Sequence, residues 1–181
     1  MPNVYVVVVR GPALAGKTAV ARRLAERLPG KVALLSQDDL QSRWIVGHGD
    51  DFAAETELVY RQIKLLTASY VRGGYHIVIE GSFAAYRDGV AATHDGDLRE
   101  LLGLVATIPN ARPLFVAVTA PLDALLERAR QSDRWDERRV EAMYQAFEQE
   151  SLPSPLVIDT SVTTPDEAAG QVLVHLGVRG P

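Results

Sequence analysis

The sequence of 181 residues contains no cysteine. This absence excludes disulfide bonds, a thiolate nucleophile and metal sites built from cysteine. Histidine is scarce, and the four histidines are scattered without the spacing of a metal site. They are His48, His76, His94 and His175. We therefore expect them to be exposed or core residues and not metal ligands.

Long hydrophobic runs are also missing. The longest apolar run near the start, residues 4–9, is far shorter than the roughly 20 residues that a membrane span needs, and no basic segment precedes it. We therefore expect no membrane partner and a cytoplasmic location. Lysine and arginine (19 residues) are outnumbered by aspartate and glutamate (23 residues), which gives a net charge of −4. A nucleic-acid partner is consequently not favoured.

What the chain does contain is an alternation of short apolar runs with longer amphipathic ones. Its length and its 47% hydrophobic content suit one domain, residues 1–181, with a substantial core. The predicted strands are 4–9, 31–35, 76–80, 113–119 and 155–159, and a segment with helical periodicity follows each of them. This order predicts a three-layer α/β domain with a mostly parallel sheet of five strands.

A phosphate-binding motif follows the first predicted strand. Residues 11–18 read GPALAGKT, a full match to G-x-x-x-x-G-K-[ST], and lead directly into a helix. The two glycines let the backbone approach phosphates closely, Lys17 brings a positive charge to the β- and γ-phosphates, and Thr18 offers its hydroxyl to Mg²⁺. We therefore predict that the protein binds ATP and Mg²⁺. The predicted loop contacts are Gly11, Ala13, Ala15, Gly16, Lys17, Thr18 and Ala19.

Two aspartates stand where the second strand leaves the sheet. A GTPase would need a base-specifying N-K-x-D sequence at a later strand end, and the fourth strand ends VTAPLD instead. A carboxylate at the second strand end can accept the proton of an attacking hydroxyl or hold Mg²⁺, so Asp38 and Asp39 are both candidates. The alternative is that one of the pair only caps a helix that begins near Leu40.

A glutamate closes the third strand in the sequence IVIEGSF. An acidic residue at this position can orient Mg²⁺, or a water bound to it, beside Thr18. Glutamate reaches about one methylene further than aspartate, so Glu80 can also contact the substrate. The alternative is a surface glutamate at a strand end.

Several arginines follow the fourth strand, and we predict a lid over about residues 128–138. Phosphoryl transfer needs cations near the γ-phosphoryl group, and a mobile lid supplies them only when nucleotide is bound. Arg130 and Arg134 are the candidates for this role, with Arg128 behind them as a nucleotide contact. Two more arginines stand beside acidic residues and look like a solvated helix face. They are Arg138 and Arg139.

The acceptor pocket is predicted from two segments, SRWIVGHGDDF and GSFAAYRDGV. Trp44 and Tyr86 offer stacking surfaces, and Arg43 and Arg87 offer charges for an anionic group on the acceptor. These four residues could equally belong to the lid and the core. The predicted substrate contacts are Asp38, Asp39, Arg43, Glu80, Tyr86 and Arg87.

Taken together, GPALAGKT, LLSQDD, VIEG, the arginine lid, AMYQAF and VIDTSVTTPDEA resemble the P-loop small-molecule kinases. The likeness is greatest to the nicotinamide riboside kinase and uridine kinase branch, although LQSRW replaces the residues that usually follow Q-D-D there. This resemblance implies a P-loop NTPase sheet with strand order 2-3-1-4-5, with ATP and Mg²⁺ as cofactors. It also implies that Asp38 is the general base and that Glu80 contacts substrate or the water on Mg²⁺.

The predicted function is therefore transfer of the γ-phosphoryl group of ATP to a hydroxyl of a small molecule such as a nucleoside, a sugar or an antibiotic. The pair Asp38 and Asp39 with Arg43 beyond it is also similar to polynucleotide 5′-hydroxyl kinases, which keeps that activity as an alternative. A nucleotide-dependent switch is an alternative of another class. A switch would need neither a base nor a lid. No oligomeric state is predicted.

Overall fold

The computed structural model describes residues 3–45, 47, 52–87, 89–149 and 154–178. Within these ranges every predicted strand and helix is present. The elements are β1 (Val4–Arg10), α1 (Lys17–Arg27), β2 (Val32–Ser36), α2 (Gln37–Ser42), α3 (Phe52–Arg72), β3 (His76–Gly81), β4 (Ala84–Arg87), β5 (Val90–Thr93), α4 (Asp95–Ala106), β6 (Ala111–Thr119), α5 (Leu122–Arg130), α6 (Glu137–Glu148), β7 (Leu156–Asp159) and α7 (Pro165–His175).

Five strands form one parallel sheet in the order β2-β3-β1-β6-β7. This order equals the predicted 2-3-1-4-5 once β4 and β5, which lie outside the sheet, are left out of the count. Branched apolar side chains from β1 are buried on both faces: Val7 and Val9 join the helices α1, α5, α6 and α7, while Val6 and Val8 join α2, α3 and α4. The fold is thus the predicted three-layer α/β domain.

A β-hairpin that the sequence analysis missed follows β3. Strands β4 and β5 pair antiparallel, with Arg87 opposite Val90, so only two residues connect them. The sequence of that connection is Asp-Gly, the pair most typical of a two-residue hairpin turn. The segment predicted only as a pocket lining is therefore a second small sheet.

Local hydrogen bonds define where the helices begin. The hydroxyl of Ser36 accepts from the backbone N–H of Asp39 at 3.3 Å, so α2 begins at Gln37 and not near Leu40. Thr164 and Glu167 form a reciprocal capping box at the start of α7. None of the helices in the described part of the chain combines the length and hydropathy needed to cross a membrane.

An arginine is buried at the end of the central strand. Arg10 is 1% exposed, and its guanidinium lies 5.4 Å from the ring centre of Phe115 and 5.5 Å from that of Phe147. Its Nη2 donates to the hydroxyl of Ser154 at 3.1 Å. Burial lowers the pKa of Arg10 to about 10, although the charge of Asp95 opposes the shift. Arg10 therefore joins β1 to the segment that follows α6.

The phosphate loop leaves β1 in very close contact with β6. A Cβ atom at Gly11 would overlap with the backbone carbonyl oxygen of Val118, which is held in the β6 strand. Because a backbone atom cannot move aside as the end of a flexible side chain can, only glycine fits at this position. The start of the phosphate loop is therefore fixed by the packing of the sheet.

We expect Gly11→Ala to lower the free energy of unfolding by about 1–3 kcal/mol, because the added methyl group forces the backbones of the loop and β6 apart. Gly103→Ala is the matched control, since Gly103 lies in α4 and a Cβ atom there meets no other atom. That control should raise stability by up to about 1 kcal/mol. Urea unfolding measures both changes, and equal effects of the two substitutions would contradict this account.

Candidate active site

The carboxyl ends of the parallel strands meet at one edge of the sheet, as expected for a ligand site in an open α/β sheet. A cavity of about 380 Å³ lies there. Its walls include Lys17 and Thr18 after β1, Asp38 after β2, Glu80 near the end of β3, and Arg134 beyond α5. The structure therefore brings together side chains from segments that are far apart in sequence.

The phosphate loop takes the turns that its motif predicts. Gly16 and also Leu14 adopt left-handed backbone conformations, with φ of 85° and 63°. The Nζ atom of Lys17 donates to the carbonyl of Pro12 at 2.7 Å, which holds the lysine along the loop. Burial lowers the pKa of Lys17, and the charges of Glu80 and Asp38 oppose the shift.

The remaining loop residues divide into lining and supporting positions. Ala13 and Ala19 line the cavity, as predicted contacts of the nucleotide should. Ala15 is fully buried and instead supports the loop from behind, because its carbonyl accepts from the hydroxyl of Thr160 at 3.0 Å. Gly11 lies behind the cavity wall, against Val118.

Glu80 and Thr18 form the part of the site suited to Mg²⁺. Glu80 is only 4% exposed, and its Oε2 accepts from the hydroxyl of Thr18 at 3.1 Å. The described residues hold no cluster of three or more acidic, histidine or cysteine side chains that would cage a metal. This donor set fits Mg²⁺, which usually binds proteins through one or two carboxylates and completes its shell with phosphate oxygens and water.

The two aspartates after β2 have different surroundings. Asp38 lines the 380 Å³ cavity and also the two neighbouring cavities. Asp39 lines only one of the neighbours, and its Oδ1 forms an ion pair with Nε of Arg43 at 3.1 Å. Neither side chain is the helix cap, because Ser36 fills that role. The proposed cap at this pair is therefore wrong, and Asp38 is the one of the two that lines the 380 Å³ cavity.

Arg128 supports the site from outside the cavity. Its Nη1 donates to the carbonyl of Leu14 at 2.9 Å, and its Nη2 donates to the carbonyl of Thr160 at 3.1 Å. The first bond reaches the phosphate loop and the second reaches the polar loop after β7. Arg128 therefore links these two loops, and the planar fork of donors on arginine suits such a double contact.

The two candidate lid arginines lie in different places. Arg134 lines all three neighbouring cavities and is exposed, as a residue that approaches a bound nucleotide should be. Arg130 lines none of the three. Its guanidinium forms ion pairs with Glu137 at 2.9 Å and Glu127 at 3.2 Å, and hydrogen bonds to these residues raise the pKa of Arg130.

A second cavity of about 220 Å³ adjoins the first and is the candidate acceptor pocket. Tyr86 of the hairpin lines it, as predicted. Arg139 also lines it, so the expectation that Arg139 lies on a solvated helix face is wrong. Three other residues predicted for this pocket are exposed and lie outside it. Arg87 borders a different cavity, and Arg43 forms an ion pair with Asp39. The third is Trp44. The rest of the predicted segment before α3 lies largely outside the described residues.

Gln37 is a site residue that the sequence analysis missed. It is 4% exposed, its Oε1 accepts from the backbone N–H of Phe83 at 2.9 Å, and its Nε2 donates to the hydroxyl of Tyr60 at 3.4 Å. Gly81 makes room for it, because a Cβ atom there would overlap with the Gln37 side chain. The Q before the two aspartates was the available signal. Gln37 thus ties the segment that bears Asp38 to the hairpin.

Comparisons with known proteins agree with this fold. Three similar solved structures cover nearly all of this chain. A tunicamycin resistance protein from Deinococcus radiodurans has a TM-score of 0.67 at 20% identity, covering 98% of each chain. A gluconokinase from Sinorhizobium meliloti has 0.65 at 18% identity, covering 97% and 92%. The hexameric APS kinase from Thiobacillus denitrificans has 0.62 at 20% identity, covering 97% of this chain and 29% of that one.

The search of curated proteins gave no match. A family profile described as an AAA domain matches residues 6–150, which contain the phosphate loop, Asp38, Glu80 and the arginine segment. Two of the three similar structures are described as kinases. The chain belongs to this AAA domain family, and its fold is that of the P-loop kinases.

Proposed function

We propose that the protein is an ATP-dependent kinase that phosphorylates a hydroxyl group of a small molecule. The observation that carries this proposal is the position of Asp38. This carboxylate lines the cavity over the phosphate loop and also the adjoining 220 Å³ cavity. A general base in a kinase must reach both the acceptor hydroxyl and the space where the γ-phosphoryl group arrives.

In the proposed reaction, Asp38 accepts the proton of the acceptor hydroxyl while the hydroxyl oxygen bonds to the γ-phosphorus of ATP. The bond between that phosphorus and the bridging oxygen breaks, and ADP leaves. Lys17 and the N–H groups of the loop hold the phosphates in line with the acceptor. The γ-phosphoryl group forms no covalent bond to the protein at any stage. Positioning and electrostatic stabilisation therefore supply most of the catalysis.

Thr18 and Glu80 are the residues that would hold Mg²⁺, Thr18 through its hydroxyl and Glu80 through a bound water or directly. When bound, Mg²⁺ neutralises negative charge on the phosphates. The hydrogen bond between Glu80 and Thr18 keeps both oxygen atoms near the phosphate loop. Because Glu80 is nearly inaccessible to solvent, its charge acts on the site with little screening.

Arg134 is the lid cation of the proposal. It lines the cavity over the phosphate loop and the candidate acceptor pocket, so it can approach the γ-phosphoryl group between the two substrates. Arg130 is already bound to two glutamates. We therefore assign to Arg134 the role of stabilising negative charge in the transition state. Arg128 supports the loops behind the nucleotide.

The small volume of the adjoining cavity favours a small acceptor over the end of a polynucleotide. Arg43, which suggested the polynucleotide alternative, is 75% exposed and bound to Asp39, and it lies outside the cavities at the site. A sugar or sugar acid matches the descriptions of some similar structures, among them the gluconokinase. The switch alternative is separated from the kinase by one test, since a switch shows no ADP release that depends on an acceptor.

We expect Lys17→Ala to lower the rate of phosphoryl transfer by about 10²- to 10³-fold, because the phosphates lose their principal cation. The fold should remain intact, since the ammonium serves the ligand. Acceptor-dependent ADP release and circular dichroism measure the two properties. A variant with the wild-type rate would show that the phosphate loop takes no part in the reaction.

The carboxylates should fail in different ways. Asp38→Asn keeps the side-chain shape but cannot accept a proton, so kcat should fall by about 10²- to 10⁴-fold with ATP binding nearly unchanged. Glu80→Gln should instead raise the Mg²⁺ concentration needed for half-maximal rate. Asp39→Asn is the control and should be mild. The measurement is kcat against Mg²⁺ concentration, and a dead Asp39→Asn with a healthy Asp38→Asn would reverse the assignment of the base.

Arg134→Gln should lower kcat by at least about 10²-fold, because it removes a cation that stabilises charge on the transferring group. Arg130→Gln, the neighbouring control, should change kcat by less than about threefold, since exposed ion pairs contribute little. Steady-state kinetics on both variants shows which arginine acts in the transition state. A larger loss at Arg130 would show that its pairs with the glutamates break when nucleotide binds.

A further inference from the structure

The candidate acceptor pocket has a polar floor and a cationic wall. Most of its residues come from α2, from the hairpin and from α6. It shares five residues with the cavity over the phosphate loop: Asp38, Ser82, Arg134, Trp135 and Met143. A molecule in this pocket would therefore have Asp38 at the side facing the nucleotide. Arg139 and Tyr86 line this pocket and do not line the cavity over the phosphate loop.

Arg139 contacts two aromatic rings. Its guanidinium carbon lies 4.6 Å from the ring centre of Trp135 and 5.7 Å from that of Tyr86. Trp135 precedes α6 and Tyr86 belongs to the hairpin, so the two rings come from different elements. Such contacts fix the position of a guanidinium without neutralising its charge.

The charge of Arg139 has no counter-ion in the described part of the chain. Its Nε atom is buried without a hydrogen-bond partner, and no carboxylate among the described residues forms an ion pair with its guanidinium. The contrast with Arg130 is clear, because Arg130 binds two glutamates. A buried donor without a hydrogen-bond partner costs free energy, and an anionic ligand bound to this guanidinium would offset that cost.

We propose that the acceptor is a small hydroxylated anion, whose carboxylate or phosphate group binds Arg139 while its hydroxyl faces Asp38. This inference rests on the proposed kinase function and deepens it. The anionic group takes no part in the bond changes; it orients the molecule so that one hydroxyl reaches the γ-phosphorus. Arg139 is therefore a specificity-determining residue and not a member of the reacting set.

Two matched pairs of compounds test the proposal: gluconate with sorbitol, and ribose 5-phosphate with ribose. In each pair only one member carries the anionic group. With ATP and Mg²⁺, we expect the anionic member of one pair to have a kcat/KM at least about 10-fold above its neutral partner. Preference for gluconate assigns the group as a carboxylate, and preference for ribose 5-phosphate assigns it as a phosphate.

Variants then locate the anion. Arg139→Gln should raise KM for the preferred anion about 10- to 100-fold with a smaller change in kcat, and it should leave the KM for the neutral partner unchanged. Arg139→Lys should restore part of the affinity, because it keeps the charge without the fork of donors. Arg138→Gln is the matched control on the adjacent exposed residue and should behave as wild type.

Binding of the four compounds, measured by calorimetry, separates the two proposals. If a neutral compound is phosphorylated and neither anion is bound or used, the anion proposal is wrong and the kinase function stands. If an anion binds through Arg139 and no compound accepts phosphate, the kinase function is wrong and the anion site stands. If no compound binds or reacts, or if Arg139→Gln leaves KM for a used anion unchanged, the proposed role of Arg139 is overturned.

Discussion

The site depends on how closely the phosphate loop can lie against the sheet. Gly11 has no side chain, and the carbonyl oxygen of Val118 occupies the space that a Cβ atom would take. This contact sets the direction in which the chain leaves β1. Lys17 and Thr18 follow Gly11 in the same loop and line the cavity, so their positions depend on this contact. Arg128 also holds this loop, through a hydrogen bond to the carbonyl of Leu14.

The acceptor side depends on a second close contact. Gln37 fills the space above Gly81 and binds the backbone of Phe83, so the segment after β2 and the segment after β3 are joined by one buried amide. Asp38 is the next residue in the chain. A carboxylate that must be both accessible and well placed is thereby attached to a rigid neighbour. The hairpin that carries Tyr86 begins at the same junction.

Local patterns predicted most of the fold and much of the site. The strands, the phosphate loop, the aspartate pair and Glu80 could be predicted because each is marked by a short run of residues in or beside a strand. The sheet order and the choice of Asp38 as the base were implied by the resemblance to the P-loop small-molecule kinases. Arg139 could not, because its environment depends on Trp135 and Tyr86, and the latter arrives through the hairpin. From sequence alone, its acidic neighbours indicate a solvated helix face. Side chains that face a cavity across elements leave no such local signal.

The buried arginine determines when the central strand can complete its folding during synthesis. Arg10 lies 144 residues before Ser154, to which it donates a hydrogen bond, and Phe147, which covers it, is also synthesised late. At ribosomal speeds of roughly 5–20 residues per second, about 7–30 s separate the synthesis of these partners. Throughout that interval the central strand cannot reach its final surroundings. The nascent chain must therefore wait, partly assembled, until most of its length has emerged.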